Sequence, residues 1–187
     1  GIHNNPVKAV IIGPGMRTVF SASADGEIQV HNLKKKKHKV IKHAGRIQTM
    51  AISNDRQKIF CADQSSKLTV YNPFGKVITT YDGHSDQINS IAVARNNRFI
   101  ITGSSDKTII VWDLIKGKEI KKFVGHDWRI SSVDISFDSK YMVSGSIDGV
   151  CILWDVETGE KLKTFKVSSG QIKSVSISPN KEYIVAA

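Results

Sequence analysis

Ile130-Ser131-Ser132-Val133-Asp134-Ile135 decides the fold, because the same strand-like phrase returns along the whole chain. It stands as Val7-Lys8-Ala9-Val10-Ile11-Ile12, Ile47-Gln48-Thr49-Met50-Ala51-Ile52, Ile88-Asn89-Ser90-Ile91-Ala92-Val93 and Ile172-Lys173-Ser174-Val175-Ser176-Ile177. The five copies are spaced by 40, 41, 42 and 42 residues. Self-similarity at such a period marks a repeat architecture, in which each unit buries its apolar faces against its neighbours.

Outward from each phrase the order is constant. A polar turn such as Asn54-Asp55-Arg56 or Phe137-Asp138-Ser139 leads to a second apolar run, as in Phe99-Ile100-Ile101 or Tyr141-Met142-Val143. A turn rich in Ser, Asp and Gly follows, then a third run (Thr108-Ile109-Ile110-Val111-Trp112) and a fourth (Ile120-Lys121-Lys122-Phe123). These runs are short, β-branched or aromatic and bounded by turn formers, which is the signature of strands. No helical periodicity persists for three turns, so the class is all-β. In the first strand the apolar positions fall at i, i+3 and i+5, which one-sided alternation does not allow. Either a β-bulge sits near its start or both its faces are buried between neighbouring sheets.

The third strands end in Trp112-Asp113 and Trp154-Asp155, and Gly83-His84 and Gly125-His126 precede first strands. With four strands per unit, this strongly resembles the WD-repeat β-propellers, over the whole stretch from His3 to Ala187. The resemblance implies an incomplete propeller: four four-stranded antiparallel blades plus two strands of a fifth, with repeats at approximately 3–43, 44–84, 85–126, 127–168 and 169–187. Family members commonly have more blades, and closure is what hides propeller edges. Further blades, from the same chain or a second copy, are therefore expected. A first residue other than Met and an apolar last stretch, Tyr183-Ile184-Val185-Ala186-Ala187, read as a fragment of a larger eukaryotic-type WD-repeat protein.

Composition agrees with a folded domain: the 187 residues are 40% hydrophobic and 24% charged, ordinary for globular proteins. The longest apolar stretches, such as Val150-Cys151-Ile152-Leu153-Trp154, fall far short of the ~20 residues that cross a bilayer. Cys61 and Cys151 have no paired-ligand spacing around them, so neither a zinc site nor a disulfide framework is expected. A reducing, intracellular home, cytoplasmic or nuclear, follows as the default. No cofactor or metal is expected.

Aligning the repeats on Trp112 and Trp154 places a His, a hydroxyl and an Asp in register with each Trp: His84, Thr102 and Asp106, and His126, Ser144 and Asp148. The same columns hold His3, Ser21, Asp25 and His31 in the first repeat, and His43, Cys61, Ser65 and Tyr71 in the second. Two tetrads are complete and two degraded. A hydrolase triad is assembled once per active site, whereas this set recurs. The expectation is therefore structural: Asp accepts from His, His reaches the hydroxyl, and the hydroxyl meets the indole N–H, tying the strands of one blade together. No catalysis is expected.

By resemblance, the residue before each turn Asp and the residues at the start of each first strand face the end of the disc where propellers usually bind peptides. Carried over by position, these are Ala24, Ser105 and Ile147 in the turns, and Arg46, Gln87, Trp128, Arg129 and Gln171 at the strand starts. Trp128 and Arg129 stand out, being the residue types most enriched in binding hot spots.

The net charge is +10, and five of the lysines behind it sit together as Lys34, Lys35, Lys36, Lys37 and Lys39. This run, like Lys116, Lys118, Lys121 and Lys122, falls around a third-to-fourth-strand connection, which the resemblance places on the opposite face and rim. Neither interleaved aromatics nor a Gly-rich phosphate loop accompanies it, and Gly13-Pro14-Gly15 reads as turn punctuation. The expected function is a non-catalytic protein–protein interaction scaffold whose partners, proteins or peptides, bind through loops and rim. The alternative is an RNA- or ribonucleoprotein-associated component using the lysine run.

Overall fold

Strands, turns and a single 3-10 turn at Pro14–Met16 make up the chain in this computed structural model, which describes residues 3–167 and 170–187. The first sheet is β1 (Val7–Ile12), β2 (Thr18–Ser23), β3 (Glu27–Asn32) and β4 (Lys37–Lys42). The second is β5 (Ile47–Ile52), β6 (Ile59–Asp63), β7 (Leu68–Tyr71) and β8 (Val77–Tyr81). β9 (Ile88–Val93), β10 (Phe99–Ser104), β11 (Thr108–Asp113) and β12 (Lys118–Val124) form the third, and β13 (Ile130–Ile135), β14 (Tyr141–Ser146), β15 (Val150–Asp155) and β16 (Lys161–Lys166) the fourth. β17 (Val175–Ile177) and β18 (Ile184–Ala186) pair as a fifth, two-stranded sheet. Each sheet is an antiparallel meander in chain order. The expected boundary between fourth and fifth repeats, 168/169, lies outside the described residues.

The bulge is the answer to the odd spacing in the first strands. Register slips between Val7 and Ala9, Ile47 and Thr49, Ile130 and Ser132, and opposite Gly103 and Ser104 in the third sheet. One extra residue at the strand's start brings i and i+3 to the same side. Ile130 and Val133 accordingly enter one core.

No sheet has a core of its own. Phe60, Leu68 and Val70 of the second sheet pack with Ile88, Ile100, Ile110 and Trp112 of the third. The alternate residues Ile101, Ile109 and Val111 of that third sheet pack with Ile130, Met142, Ile152 and Trp154 of the fourth. Phe20 and Ile28 meet Ile47 and Ile59 at the preceding junction, and Val143 and Cys151 meet Ile172 and Val175 at the next. Central strands buried on both faces need continuous apolar runs, which is why Phe99-Ile100-Ile101 and Thr108-Ile109-Ile110-Val111-Trp112 show no alternation.

First strands pack side by side, β1 on β5, β5 on β9, β9 on β13 and β13 on β17. Their hydroxyls join them: the Val133 N–H donates to Ser90 Oγ at 3.1 Å and the Val175 N–H to Ser132 Oγ at 3.1 Å. The Ile177 N–H donates to Asp134 Oδ2 at 3.0 Å. These bonds satisfy edge-strand donors that would otherwise face a dry seam. Fourth strands form the outer rim and are largely exposed.

The seams leave no room. A Cβ on Gly103 would lie 2.7 Å from both Ile130 Cγ2 and Val133 Cγ1 of the next sheet. Gly103→Ala is expected to lose about 1–3 kcal/mol through overpacking, read by equilibrium urea unfolding. An unchanged midpoint would mean that this seam yields freely.

Candidate functional site

Backbone hydrogen bonds sort the connections into two ends. The Ser105 N–H donates to Gln87 O at 2.8 Å, and the Ile147 N–H to Arg129 O at 3.3 Å, so second-to-third-strand turns lie beside the starts of first strands. At the other end the third-to-fourth-strand turns lie beside second-strand starts, through Leu33 N–H to Arg17 O (2.7 Å) and Leu114 N–H to Arg98 O (2.9 Å).

At the first end, Arg46, Trp128, Arg129 and Gln171 are exposed, Gln87, Ser105 and Ile147 are half-buried, and Ala24 is buried. Trp128 retains 57% of its surface in water. Gln87 and Ser105 are joined through a residue the sequence comparison passed over. Gln87 Nε2 donates to Asn89 Oδ1 at 2.9 Å, while Asn89 Nδ2 donates to Ser105 Oγ at 3.0 Å and to Ile130 O of the next sheet at 2.7 Å. Asn89 thus fixes two surface side chains and one seam together. Only its polarity in a first strand signals it in the sequence.

The recurring polar columns build four different arrangements. In the third sheet the chain is continuous: Trp112 Nε1 donates to Thr102 Oγ1 (2.8 Å), Thr102 meets His84 Nε2 (2.7 Å), and His84 Nδ1 meets Asp106 Oδ2 (2.8 Å). Asp106 also accepts from Ser85 N–H, Thr108 N–H and Thr108 Oγ1. Burial by itself would raise the Asp106 carboxyl. The His84 and Thr108 bonds, the Ser85 N–H and the adjacent imidazole outweigh it and hold that carboxyl well below the usual range. Thr102 is fully buried and its oxygen is shared between indole and imidazole, a geometry with no approach for a substrate.

The fourth sheet departs from the expectation. Trp154 Nε1 donates to Ser144 Oγ (2.8 Å) and Ser144 meets His126 Nε2 (2.7 Å), but His126 Nδ1 has no partner. Asp148 instead caps its own turn, accepting from the Val150 N–H at 3.1 Å. Burial pushes His126 down to about 4.

The second sheet, expected to be degraded, has rebuilt its chain from a different carboxylate. His43 Nε2 meets Asp63 Oδ2 at 2.8 Å and His43 Nδ1 meets Tyr71 Oη at 2.6 Å, with Cys61 buried and bypassed. Ser65, in the column of the turn Asp, donates to Asp63 Oδ1 from both its N–H and its hydroxyl. Burial, with Cys61 and Asp63 nearby, pushes the Tyr71 phenol up to about 12, and burial likewise raises the Cys61 thiol. Asp63 was missed because alignment by column looks for the carboxylate in the turn, two residues later. In the first sheet His3 Nε2 meets Ser21 Oγ at 2.8 Å, but its Nδ1 lies 3.5 Å from Asp25 Oδ2 and has no hydrogen-bond partner. His3, Asp25 and Glu27 are, among the described residues, the one group of potential metal-ligating side chains whose donor atoms converge, within 4.8 Å of one another.

Part of the basic charge is engaged. Lys39 Nζ donates to Phe74 O (2.8 Å), Lys58 Nζ to Leu114 O (2.8 Å), Lys122 Nζ to Gly83 O (3.2 Å) and Lys161 Nζ to Gly125 O (3.1 Å), and Lys121 reaches Glu157 O. The side chains of Lys34, Lys35, Lys36 and Lys37 make no such bond among the described residues and project from the exposed hairpin between β3 and β4.

Asp106 and Asp148 therefore differ in weight. Asp106→Ala, which strands His84, Ser85 and Thr108, should cost about 3 kcal/mol. Asp148→Ala should cost no more than about 1 kcal/mol; equal losses in urea unfolding would show that both carboxylates carry the same load. His126 supplies a pH test. Its folded value of about 4 lies below the ordinary 6.5, so between them the unfolded chain holds more protons. Stability is full above the ordinary value and falls as pH drops toward the folded one. Between pH 7 and 5 this amounts to about 2 kcal/mol, and His126→Gln should flatten the slope.

The family model described as WD domain, G-beta repeat matches residues 75–113 and 117–155. Each match opens before an outer strand, β8 or β12, and closes on Trp-Asp, so the sequence unit runs one strand out of step with the sheets. Over 130 residues, 62% of this chain and 33% of the relative, it is 27% identical to a guanine nucleotide-binding protein subunit beta of Oryza sativa. It is 33% identical to autophagy-related protein 16 of Arabidopsis thaliana over 75 residues, 39% of this chain and 15% of that protein. To nuclear distribution protein PAC1 of Candida tropicalis it is 46% identical over 43 residues, 23% and 9% of the two chains. The aligned part thus spans a third or less of the length of these curated relatives. No helix among the described residues is long and apolar enough to cross a membrane. With two matched repeats and successive four-stranded sheets, two of them braced internally by a Trp-anchored polar chain, this chain belongs to the WD-repeat β-propeller proteins.

Proposed function

We propose that the chain is a scaffold that holds protein or peptide partners on the end carrying Arg46, Gln87, Ser105, Trp128, Arg129, Ile147 and Gln171. WD repeats and relatives such as a G-protein beta subunit, by its name a member of an assembly, support the scaffold role. The observation that carries the choice of face is Trp128, an indole 57% exposed beside Arg129. The Arg129 carbonyl is pinned by the Ile147 N–H, so Trp128 sits next to a fixed backbone. Large rigid side chains on a pre-ordered surface lose little freedom on binding, which is what makes such residues hot spots. Trp128→Ala is expected to weaken capture of a native partner by about 2 kcal/mol or more, in affinity purification or calorimetry. Ile120→Ala, which removes a comparably exposed residue on the rim, should leave it unchanged. Full retention of partners by Trp128→Ala would overturn this choice of face.

A second reading has its own observation. Lys34, Lys35, Lys36 and Lys37 are the lysines of the run whose ammonium groups no carbonyl engages among the described residues, and they stand together on one hairpin. Such a cluster suits a polyanion such as RNA. Affinity for single-stranded RNA should then fall steeply with salt, and neutralising each lysine should reduce the log–log slope by about 0.7. A slope near zero would remove this reading and leave the first untouched.

A further inference from the structure

We propose that His3, Asp25 and Glu27 form a binding site for a divalent transition-metal ion of the zinc class. The inference rests on comparing the first sheet with the third. His3, Ser21, Asp25 and Glu27 follow one another at the same offsets as His84, Thr102, Asp106 and Thr108. In the third sheet Asp106 Oδ2 is 2.8 Å and Thr108 Oγ1 3.3 Å from His84 Nδ1, and the ring nitrogen is satisfied. The first sheet replaces that threonine with a glutamate, and the ring nitrogen is left without a partner in a side chain only 8% exposed.

An imidazole nitrogen buried against two carboxylates calls for something positive between them, a proton on Nδ1 or a metal ion. Nδ1 and Asp25 Oδ2 are 3.5 Å apart. Two ligand atoms bonded at roughly 2.0–2.1 Å to a tetrahedral zinc ion sit about 3.4 Å apart. The donor set, one imidazole nitrogen and two carboxylate oxygens, suits zinc and its neighbours, whereas calcium and magnesium take oxygen shells. The outer shell is in place. With Nδ1 free to bind metal, Nε2 carries the proton and donates to Ser21 Oγ at 2.8 Å, the orientation that metal-bound imidazoles adopt. Asp25 Oδ1 is held by the Glu27 N–H at 2.9 Å and Oδ2 by the Asn4 N–H at 3.1 Å. The Glu27 side chain has no hydrogen bond or ion pair among the described residues. Water completes the fourth position.

The fourth sheet is the internal control. His126 Nδ1 is also unpartnered, but Val150 stands where Glu27 stands and Asp148 is turned to its own turn, so the third ligand is missing.

Isothermal titration of Zn2+ into the chain, with its amino terminus blocked so that the α-amine supplies no ligand, tests the site. One saturable site is expected, unaffected by excess Ca2+. Glu27→Thr, which installs the residue of the third sheet, should weaken it by on the order of 10- to 100-fold, the range that even outer-shell partners of metal ligands command. His38→Gln, on the lysine hairpin, should leave it intact. Co2+ bound to the unaltered protein should give the intense visible absorption of a four- or five-coordinate site, which decides the matter even if Glu27→Thr fails to fold. Absence of a saturable site, undiminished binding by folded Glu27→Thr, loss of the site in folded His38→Gln, or the faint spectrum of octahedral Co2+ would each overturn the proposal.

Discussion

Everything in this molecule depends on a sheet being unable to bury itself. A four-stranded meander has two apolar faces and no layer of its own to cover either, so each must be covered by the next copy. Alternate residues of one strand therefore serve different cores: Phe60 works with the third sheet while Cys61 works with the first. The repeat period, the continuous apolar runs of the central strands and the small residue at Ala22, Ala62, Gly103 and Gly145 all answer that requirement. So do the first-strand hydroxyls, which turn a line of edge donors into a hydrogen-bonded seam.

Dry seams make polarity costly, and the His-centred chains show how it is accommodated. In the second and third sheets the chain runs from a buried aromatic or hydroxyl group through the imidazole to a carboxylate beside the second-to-third-strand turn, whose oxygens are otherwise held by turn N–H and hydroxyl groups, a division between neutral groups inside and a bonded carboxylate at the turn. That division tolerates substitution as long as the imidazole keeps partners. The second sheet exchanges Trp for Tyr71 and moves its carboxylate to Asp63, and both ring nitrogens of His43 remain bonded. At His126, where Nδ1 has no partner, burial depresses the imidazole and the strand order is unchanged. Strand order is set by apolar burial; the polar chains are local.

That separation explains what the sequence discloses. Period, strand content and the pairing of four strands are written in apolar residues whose spacing is fixed by geometry, and the i, i+3, i+5 pattern of Ile130 through Ile135 narrows that strand to two readings, of which the register shift selects the bulge. The polar columns are legible as columns, but their bonds are not: Asp106 and Asp148 are indistinguishable in alignment, yet one accepts from an imidazole and the other from its own turn. Asp63 and Asn89 escaped for a related reason, since each makes its bonds from a position outside the repeat's recurring polar set.

Charge illustrates the same limit from the other side. A net charge of +10 suggests a strongly positive surface, yet some lysines spend their ammonium groups on carbonyls of adjacent turns, Lys39 and Lys161 of the rim on Phe74 and Gly125, and Lys58 on Leu114. A hydrogen bond does not cancel a charge, but it fixes the ammonium against one partner and removes it from the pool that can follow an approaching phosphate. The densest cluster of lysines without such a bond among the described residues is one hairpin, Lys34 to Lys37, at the end of the disc opposite Trp128 and Arg129. The two ends are therefore chemically distinct, one carrying an exposed indole and guanidinium, the other a cluster of ammonium groups. On the proposed reading, unlike ends would let two unlike partners be held at once without either binding event having to deform the sheets between them.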